Sequence, residues 1–210
     1  MYYKKVFLLF SKKEGCQHIA QEFALKGIEK IVNNKCVNSI FEFGIGIGTI
    51  PYLLNSLNKK LDYFGTEENE FCINAFQENL KDIDSKFNFN HIKSFSNYNE
   101  DFKFDFIIID GSFDNEIFLR KIVKLNTIIL VEGDRKLQRE FLTRIFPNAL
   151  VSHNISICKN EKDSPFYSEK NNSFIGGYTL FRLYPSIMNK MEWFSEKVFT
   201  FFKYKIRKFL

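Results

Sequence analysis

Three glycines at alternate positions follow an acidic residue in the first quarter of the chain. Residues 39–49 read SIFEFGIGIGT, in which Glu42 lies near the end of a predicted apolar strand. The glycines are Gly44, Gly46 and Gly48, and a predicted helix follows them. Glycine permits a tight turn and lets backbone N–H groups approach a ligand that a Cβ atom would keep away. The helix N-terminus adds a partial positive charge, so the segment predicts a ligand-binding turn.

The spacing of these glycines distinguishes between two kinds of cofactor. A dinucleotide fingerprint needs Gly-x-Gly-x-x-Gly, but the residue at its third glycine position is Thr49. The run Glu-x-Gly-x-Gly-x-Gly instead resembles the first motif of class I S-adenosylmethionine-dependent methyltransferases. The resemblance implies that the three glycines line the methionine and ribose part of the cofactor and that Phe43 also contacts the cofactor. It also implies that Glu42 meets the cofactor's amino group, directly or through water.

Two further strand ends carry candidate cofactor contacts. An acid about twenty residues after the glycines can accept two hydrogen bonds from a ribose diol. The resemblance favours Glu67 for this role, while Glu68 is an alternative that could instead cap the next helix. At the end of the third predicted strand, the resemblance implies a small polar contact to the adenine edge. Ser94 and Ser96 are the candidates there, with Phe95 stacking on the base.

The end of the fourth predicted strand carries a second motif. Residues 104–111 read FDFIIIDG, which resembles the Phe-Asp-x-Ile-x-x-Asp-Gly run of small-molecule O-methyltransferases, including catechol-type enzymes. The resemblance implies that Asp110 lies beside the methyl group to be transferred. The alternative is that Asp110 caps the turn before the next helix. A hydroxyl acceptor needs a base or a metal to remove its proton, and Asp110 is the leading candidate for that base.

A divalent metal is a second way to activate a hydroxyl. Catechol-type enzymes bind Mg²⁺ through the strand-four acid and an Asp-Asn pair after strand five, but residues 131–135 read VEGDR here. Glu132 and Asp134 could serve with Asp110 as hard oxygen ligands. The missing pair means that the sequence does not favour a Mg²⁺ site.

Strand and helix patterns alternate along most of the chain, as in a parallel sheet with helices on both faces. Strands are predicted at 38–43, 61–66, 87–92, 104–109 and 127–131, and helices at 16–33, from 49, near 69–83, near 114–124 and after Asp134 as an N-cap. Two later runs, 149–157 and 174–184, have no helix between them and predict an antiparallel hairpin. The expected fold is Rossmann-like: an α/β doubly wound sheet, mostly parallel, with a C-terminal antiparallel hairpin.

Composition narrows the classes of function. The net charge is +5, but residues 185–210 hold six Lys/Arg and two Glu, so residues 1–184 are nearly neutral and predict no nucleic-acid partner. The Asn/Asp-Pro-Pro-Tyr motif of enzymes that methylate amide or exocyclic nitrogens is also absent. The four cysteines are scattered, and the apolar run at 6–10 is too short for a signal peptide. No stretch approaches the roughly 18 apolar residues of a membrane span. These features predict a cytoplasmic protein.

Residues 186–210 fall into helical register as a basic amphipathic segment. One stripe is apolar, comprising Ile187, Met191, Phe194, Val198, Phe201 and Phe202; the opposite stripe comprises Asn189, Glu192, Glu196, Thr200, Lys203 and Arg207. Such a helix can lie in a membrane interface and be attracted by anionic lipids. Packing on the domain, or a seam in a homo-oligomer, is the alternative. Contact with the inner face of the membrane would suit a lipid-linked sugar acceptor.

These patterns together predict a methyltransferase domain at 1–184, followed by the amphipathic helix at 185–210. The predicted reaction is S-adenosylmethionine-dependent methyl transfer to a hydroxyl of a small-molecule or saccharide acceptor, with the polar loop at 158–173 as a candidate for acceptor recognition. One alternative is a nucleotide- or dinucleotide-using enzyme, against which Thr49 and the terminal hairpin argue. The other is a non-catalytic Rossmann-like protein that docks to a membrane or a protein partner through its tail.

Overall fold

The computed structural model describes residues 1–82, 86–98, 101–162, 164–167 and 174–210. Within these residues seven strands form one sheet: β1 (Ser39–Phe43), β2 (Leu61–Thr66), β3 (Phe87–Ile92), β4 (Phe104–Ile109), β5 (Val123–Glu132), β6 (Leu150–Ile155) and β7 (Gly177–Arg182). The strand order is β3-β2-β1-β4-β5-β7-β6. Strands β1 to β5 are parallel, and β7 is antiparallel to both β5 and β6. The predicted fold class is confirmed, including the antiparallel ending.

Helices cover both faces of this sheet. They are α1 (Tyr2–Phe10), α2 (Glu22–Asn34), α3 (Thr49–Ser56), α4 (Glu70–Asn79), α5 (Glu116–Ile122), α6 (Lys136–Ile145) and α7 (Ile187–Arg207), with 3₁₀ helices at Cys16–His18 and Phe95–Asn97. Successive strand residues point to opposite faces, so Ile40 packs in a core with α1 to α3, and Phe41 packs in a core with α5 and α6. The two cores hold the carboxyl ends of the central strands at one edge.

The N-terminal region departs from the sequence prediction in two ways. Helix α1 was not predicted, although Tyr3, Val6, Phe7 and Phe10 form a buried face at helical spacing. The helix predicted at 16–33 begins only at Glu22, after an extended segment that starts at Ile19. Ile19 and Ala20 are buried in the core without being helical, so their spacing mimicked a longer helix.

Other helices and strands also begin or end at positions different from those predicted. Helix α4 ends at Asn79, and position 83 of the longer predicted helix lies outside the described residues. The prediction of Asp134 as an N-cap is wrong, because α6 begins at Lys136 and the Asp134 carboxylate pairs with Arg139 instead. Strand β5 begins at Val123, before the predicted 127, because it passes through a bulge at which Asn126 has a φ of +71°.

Candidate functional site

A cavity of about 690 Å³ opens at the carboxyl ends of β1, β2, β4 and β5. It lies where the strand order reverses between β1 and β4, the place at which open α/β sheets bind ligands. Its volume falls within the roughly 300–1,000 Å³ of small-molecule sites. The lining residues are Gln17, His18, Ile19, Gln21, Phe43, Gly44, Gly46, Thr66, Glu67, Glu68, Phe95, Asp110, Gly111, Ser112, Glu132, Arg135 and Phe166. We call this space the main cavity.

Close backbone approach explains two of the motif glycines. Gly44 has a φ of +90°, and a Cβ atom there would lie 2.9 Å from the backbone nitrogen of Gly111. Gly46 has a φ of +58°, and its Cβ atom would lie 2.2 Å from the carbonyl oxygen of His18. A side chain at either position would therefore separate turns that meet at the cavity. Gly48 is different, because it is the N-cap residue of α3, packs near Phe76 and does not line the main cavity.

Glu67 joins the turns that follow β1 and β2. Its Oε2 accepts a hydrogen bond from the Gly46 N–H at 2.8 Å. Its Oε1 accepts hydrogen bonds from the N–H groups of Glu68 at 3.0 Å and Asn69 at 2.9 Å. Within the described residues Oε2 has one such partner, and a carboxylate oxygen can accept two. Glu67 thus fixes the glycine turn and retains acceptor capacity on the cavity wall.

The third strand end contributes an aromatic wall. Phe95 lines the main cavity, whereas Ser94 and Ser96 do not, and the Ser96 hydroxyl donates to the Ser94 hydroxyl at 3.3 Å. His91 also has a positioning contact that the sequence did not indicate, since its Nε2 lies 3.0 Å from the Glu67 carbonyl oxygen. We call Phe43, Gly44, Gly46, Glu67 and Phe95 the glycine wall.

Glu42 lies behind the glycine wall. Its side chain is fully buried, does not line the main cavity, and accepts a hydrogen bond from the Tyr63 hydroxyl at 2.5 Å. Burial raises the pKa of the Glu42 carboxyl well above its ordinary value; the Tyr63 hydrogen bond opposes this, and the charges of Asp110 and Glu67 add to it. Its Oε1 has no hydrogen-bond partner among the described residues. The structure therefore contains a buried carboxyl directly under the glycine turn.

The opposite side of the main cavity brings together two carboxyls and a guanidinium, which we call the carboxyl wall. Asp110 Oδ1 accepts a hydrogen bond from Arg135 Nη2 at 2.7 Å. The same Nη2 lies 3.5 Å from Glu132 Oε2, and Glu132 Oε1 accepts from the Gln21 N–H at 3.3 Å. Asp110 and Glu132 come from the ends of β4 and β5, while Arg135 is the N-cap residue of α6.

The carboxyls of this wall have perturbed acidities. Burial raises the pKa of Asp110 well above its ordinary value, the charge of Glu132 raises it further, and Arg135 opposes both effects. Burial also raises the pKa of Glu132, against the stabilising charge of Arg135. Two interacting carboxyls titrate as a pair. Asp110 and Glu132 therefore bind a proton more tightly than isolated carboxyls do.

Two polar atoms on this wall lack protein partners. Gln21 Oε1 and Arg135 Nε are buried and have no hydrogen-bond partner within the described residues. Leaving such a group unsatisfied costs about 1–3 kcal/mol, so a polar ligand that bonded them would gain affinity. Gln21 follows the 3₁₀ helix at Cys16–His18, in a segment that was predicted to be helical and was not predicted to belong to a site. The polar pair Gln17-His18 beside Gly15 was the available signal.

The three metal candidates do not converge. Asp110 and Glu132 meet across the Arg135 guanidinium, whereas the Asp134 side chain is 89% exposed and pairs with Arg139. In the part of the chain that the structure describes, no group of three or more His, Cys, Asp or Glu side chains is arranged to hold a metal ion. The positive charge next to Asp110 is a guanidinium, which would repel a divalent cation.

A second cavity of about 410 Å³ adjoins the first through Gln21. His153, Asn154, Arg139 and Arg207 are among its lining residues. Burial lowers the pKa of His153, and the charges of Arg139 and Lys197 act in the same direction. Phe166 lines the main cavity. It belongs to the loop at 158–173, which was predicted to recognise the acceptor. Positions 163 and 168–173 of that loop lie outside the described residues.

Comparisons with known proteins give a consistent fold. No protein-family model and no curated protein matches the sequence. A provisionally assigned O-methyltransferase from Klebsiella pneumoniae has a TM-score of 0.62 and 14% identity, over 88% of this chain and 90% of that one. The SAH-bound Podospora anserina methyltransferase PaMTH1 has a TM-score of 0.58 and 11% identity, over 88% of each chain. The precorrin-6y C5,15-methyltransferase of Geobacter metallireducens has a TM-score of 0.56 and 16% identity, over 77% of this chain and 86% of that one.

The chain therefore has the fold of class I S-adenosylmethionine-dependent methyltransferases, as its sequence motifs predicted. At these identities the similarity concerns the fold alone. Of these three proteins, only the precorrin-6y enzyme has a name that states its acceptor, and one fold can carry many substrates. The acceptor has to be argued from the site of this chain.

Proposed function

We propose that this protein is a class I S-adenosylmethionine-dependent methyltransferase that acts on a hydroxyl group of a small molecule or a saccharide. One observation carries the proposal: a single cavity is bounded on one side by the glycine wall and on the other by the carboxyl wall. The first set of groups suits a nucleoside with a charged tail, and the second set suits the removal of a proton.

The glycine wall is the proposed cofactor site. Glu67 would accept hydrogen bonds from the ribose hydroxyls through the acceptor capacity left on its carboxylate, and Phe95 would pack on the adenine. The Gly44–Gly46 turn would run along the methionine part, and Glu42, buried beneath this turn, is the proposed partner of the cofactor's amino group through water. When bound, S-adenosylmethionine supplies a methyl group on a sulfonium sulfur that leaves as a neutral thioether.

The carboxyl wall is the proposed acceptor site. The new bond joins the acceptor oxygen to the methyl carbon, and the hydroxyl proton passes to the Asp110–Glu132 pair. A carboxyl with a raised pKa is a stronger base when ionised, which brings it closer to the pKa that suits proton transfer near neutral pH. Arg135 would stabilise the ionised pair before transfer and orient Asp110 through the 2.7 Å hydrogen bond. Asp110 is the proposed base and Glu132 its partner.

The polar lining supports a hydroxylated acceptor. Gln17, His18 and Gln21 add hydrogen-bonding groups beside the carboxyl wall, and the unpartnered Gln21 Oε1 is an acceptor for a hydroxyl donor. A saccharide or another polyol presents several such donors at once. Mg²⁺ is not included in the proposal, because Arg135 already supplies the positive charge beside Asp110.

Calorimetric titration tests the cofactor site first. We expect micromolar binding of S-adenosylmethionine and S-adenosylhomocysteine, no binding of NAD, and loss of binding in Glu67→Ala. Glu140→Gln on α6 removes the same charge from an exposed side chain and should bind normally. Failure of both ligands to bind the parent protein would overturn the proposal and favour the non-catalytic alternative.

Methyl transfer itself is tested with isotopically labelled S-adenosylmethionine and panels of hydroxylated small molecules, saccharides and amines. The proposal requires label in a hydroxylated acceptor and loss of that label in Asp110→Asn. Transfer only to amines, unaffected by Asp110→Asn, would contradict the assignment of a hydroxyl acceptor while leaving the cofactor assignment intact.

A further inference from the structure

Helix α7 attaches to the domain through its polar side. The Trp193 Nε1–H donates to the Val151 carbonyl oxygen at 2.8 Å, and the Thr200 hydroxyl donates to the His153 carbonyl oxygen at 2.6 Å. One further contact of this kind is made by Arg207, whose Nε–H donates to a carbonyl oxygen just beyond β6, at 2.6 Å. These three anchors are seven residues apart, so they recur on one side of the helix every two turns. They hold α7 along the edge strand β6.

Both glutamates of α7 form ion pairs with the domain, on the same side of the helix as the three anchors. Glu196 accepts a hydrogen bond at 2.8 Å from Arg182, whose side chain is only 5% exposed in β7. Glu192 pairs with Lys35 at 2.5 Å. A buried guanidinium needs an anionic partner, so Arg182 fixes which side of the helix faces the sheet. The ion pairs therefore orient α7 with its apolar stripe away from the domain.

The outward side of α7 is apolar and exposed. Exposed fractions are 78% for Ile187, 63% for Met191, 65% for Phe194, 55% for Phe201 and 55% for Phe202. Thr200 is the one buried residue of α7. Contiguous exposed apolar surface of this kind marks an interaction site. Its position on one side of a helix about 30 Å long makes it a nearly straight strip.

Charge indicates what covers this strip. Lys190, Lys197 and Lys208 recur along one border of the apolar stripe, and Lys205 lies within it. All four lysines are exposed, whereas the two acids are on the domain side. The exposed side of α7 on a second copy would offer this lysine row no acids to pair with, because both acids of the helix face the domain. An anionic surface would be complementary to it along the whole strip.

We propose that α7 docks the protein on membranes that carry anionic lipids, with the helix lying flat and its aromatic side chains inserted among the acyl chains. Apolar burial and the attraction of lysines to anionic headgroups act together in such interfacial helices. In the described part of the chain, no helix is long and apolar enough to cross a bilayer. Because contacts along β6 hold α7 in place as a helix, the docking surface is already formed in the free protein.

Vesicle co-sedimentation tests this proposal with matched variants. We expect binding to vesicles that contain phosphatidylglycerol and little binding to pure phosphatidylcholine. The double variant Phe194→Ser/Phe201→Ser should lose about tenfold or more in partitioning, since each inserted ring contributes apolar burial. Ile117→Ser/Leu137→Ser removes two similarly exposed apolar side chains, 84% and 75% exposed, from α5 and α6, and should bind as the parent does.

Substitution of the α7 lysines is a second test of the proposal. Lys190→Gln/Lys197→Gln should reduce binding to anionic vesicles by about fivefold per lysine at low salt, whereas the exposed pair Lys12→Gln/Lys60→Gln should have little effect. Circular dichroism and S-adenosylhomocysteine titration verify that each variant is folded. Equal partitioning of the α7 and control variants would overturn the proposal. So would a dimer in analytical ultracentrifugation that dissociates in Phe194→Ser/Phe201→Ser without any vesicle binding, because a second copy would then cover the strip.

Discussion

The glycine wall and the carboxyl wall of the main cavity are held in place by different kinds of bond. The glycine wall depends on backbone N–H groups from the turns after β1 and β2 that donate to one carboxylate, Glu67. The carboxyl wall depends on side chains from three separate elements that meet around Arg135. Backbone donors have fixed positions and do not titrate, whereas two neighbouring carboxyls change charge with pH.

This difference suggests that the two walls have different roles in the reaction. A wall of fixed donors and glycines suits the binding of a ligand that is the same in every turnover. A wall of titratable side chains suits the step in which a proton moves. Substitutions should therefore separate the two walls: changes in the carboxyl wall should reduce turnover, and changes in the glycine wall should reduce cofactor affinity.

The largest expected effect is that of Asp110→Asn on turnover. The amide keeps the size of the side chain but cannot accept the acceptor proton, and loss of a general base costs about 10²–10⁴-fold. We expect kcat to fall by at least about a hundredfold, with little change in the calorimetric affinity for S-adenosylhomocysteine. Asp134→Asn, which alters an exposed acid paired with Arg139, is the control and should retain activity. A parallel loss of cofactor affinity in Asp110→Asn would contradict the separation of turnover from cofactor binding between the two walls.

The next effect is that of Glu67→Gln on affinity. The amide nitrogen would face an N–H donor in place of an acceptor, so either the Gly46 contact or the contacts to Glu68 and Asn69 would be lost. Loss of a hydrogen bond to a charged group costs about 1.5–3 kcal/mol. We expect about ten- to a hundredfold weaker binding of S-adenosylhomocysteine by calorimetry, with kcat at saturating cofactor largely kept. Glu68→Gln removes the same charge from an exposed residue of the same cavity, and an equal loss there would refute the specific role of Glu67.

The pH dependence of stability distinguishes the walls in a third way. The raised pKa of Asp110 means that the folded state holds its proton more tightly than the unfolded chain does. Its contribution to stability is therefore complete below the unfolded pKa of about 3.9 and is lost as pH rises through the folded pKa.

Urea unfolding between about pH 4 and pH 8 measures this effect. The free energy of unfolding of Asp110→Asn should fall less with rising pH than that of the parent, because the variant has no charge to bury at that position. Asp134→Asn should follow the parent curve. Identical slopes for the parent and Asp110→Asn would mean that Asp110 is as acidic when folded as when unfolded.

The two walls also differ in how far the sequence could predict them. The glycine wall follows from contiguous motifs, so Gly44, Gly46 and Glu67 were predicted and do line the cavity. In the carboxyl wall, Asp110 was predicted as a base and Glu132 only as a possible metal ligand, and Arg135 and Gln21 were not predicted, because Gln21 and Glu132 are 111 residues apart and meet only through the sheet order. Which stripe of α7 faces the domain depends on the buried Arg182, whose burial no local pattern indicates.

The smallest expected effect concerns Glu42, which lies behind the glycine wall and could belong functionally to either wall. If Glu42 answers the cofactor's amino group, Glu42→Gln should weaken S-adenosylhomocysteine a fewfold and leave methylthioadenosine, which lacks that amino group, unchanged. The amide can still accept the Tyr63 hydrogen bond, so the fold should persist. Equal weakening of both ligands would indicate instead that Glu42 acts through the shape of the glycine turn. An unchanged affinity for both, with a lower kcat, would assign Glu42 to the carboxyl wall, because the charge of Asp110 already raises the pKa of the Glu42 carboxyl.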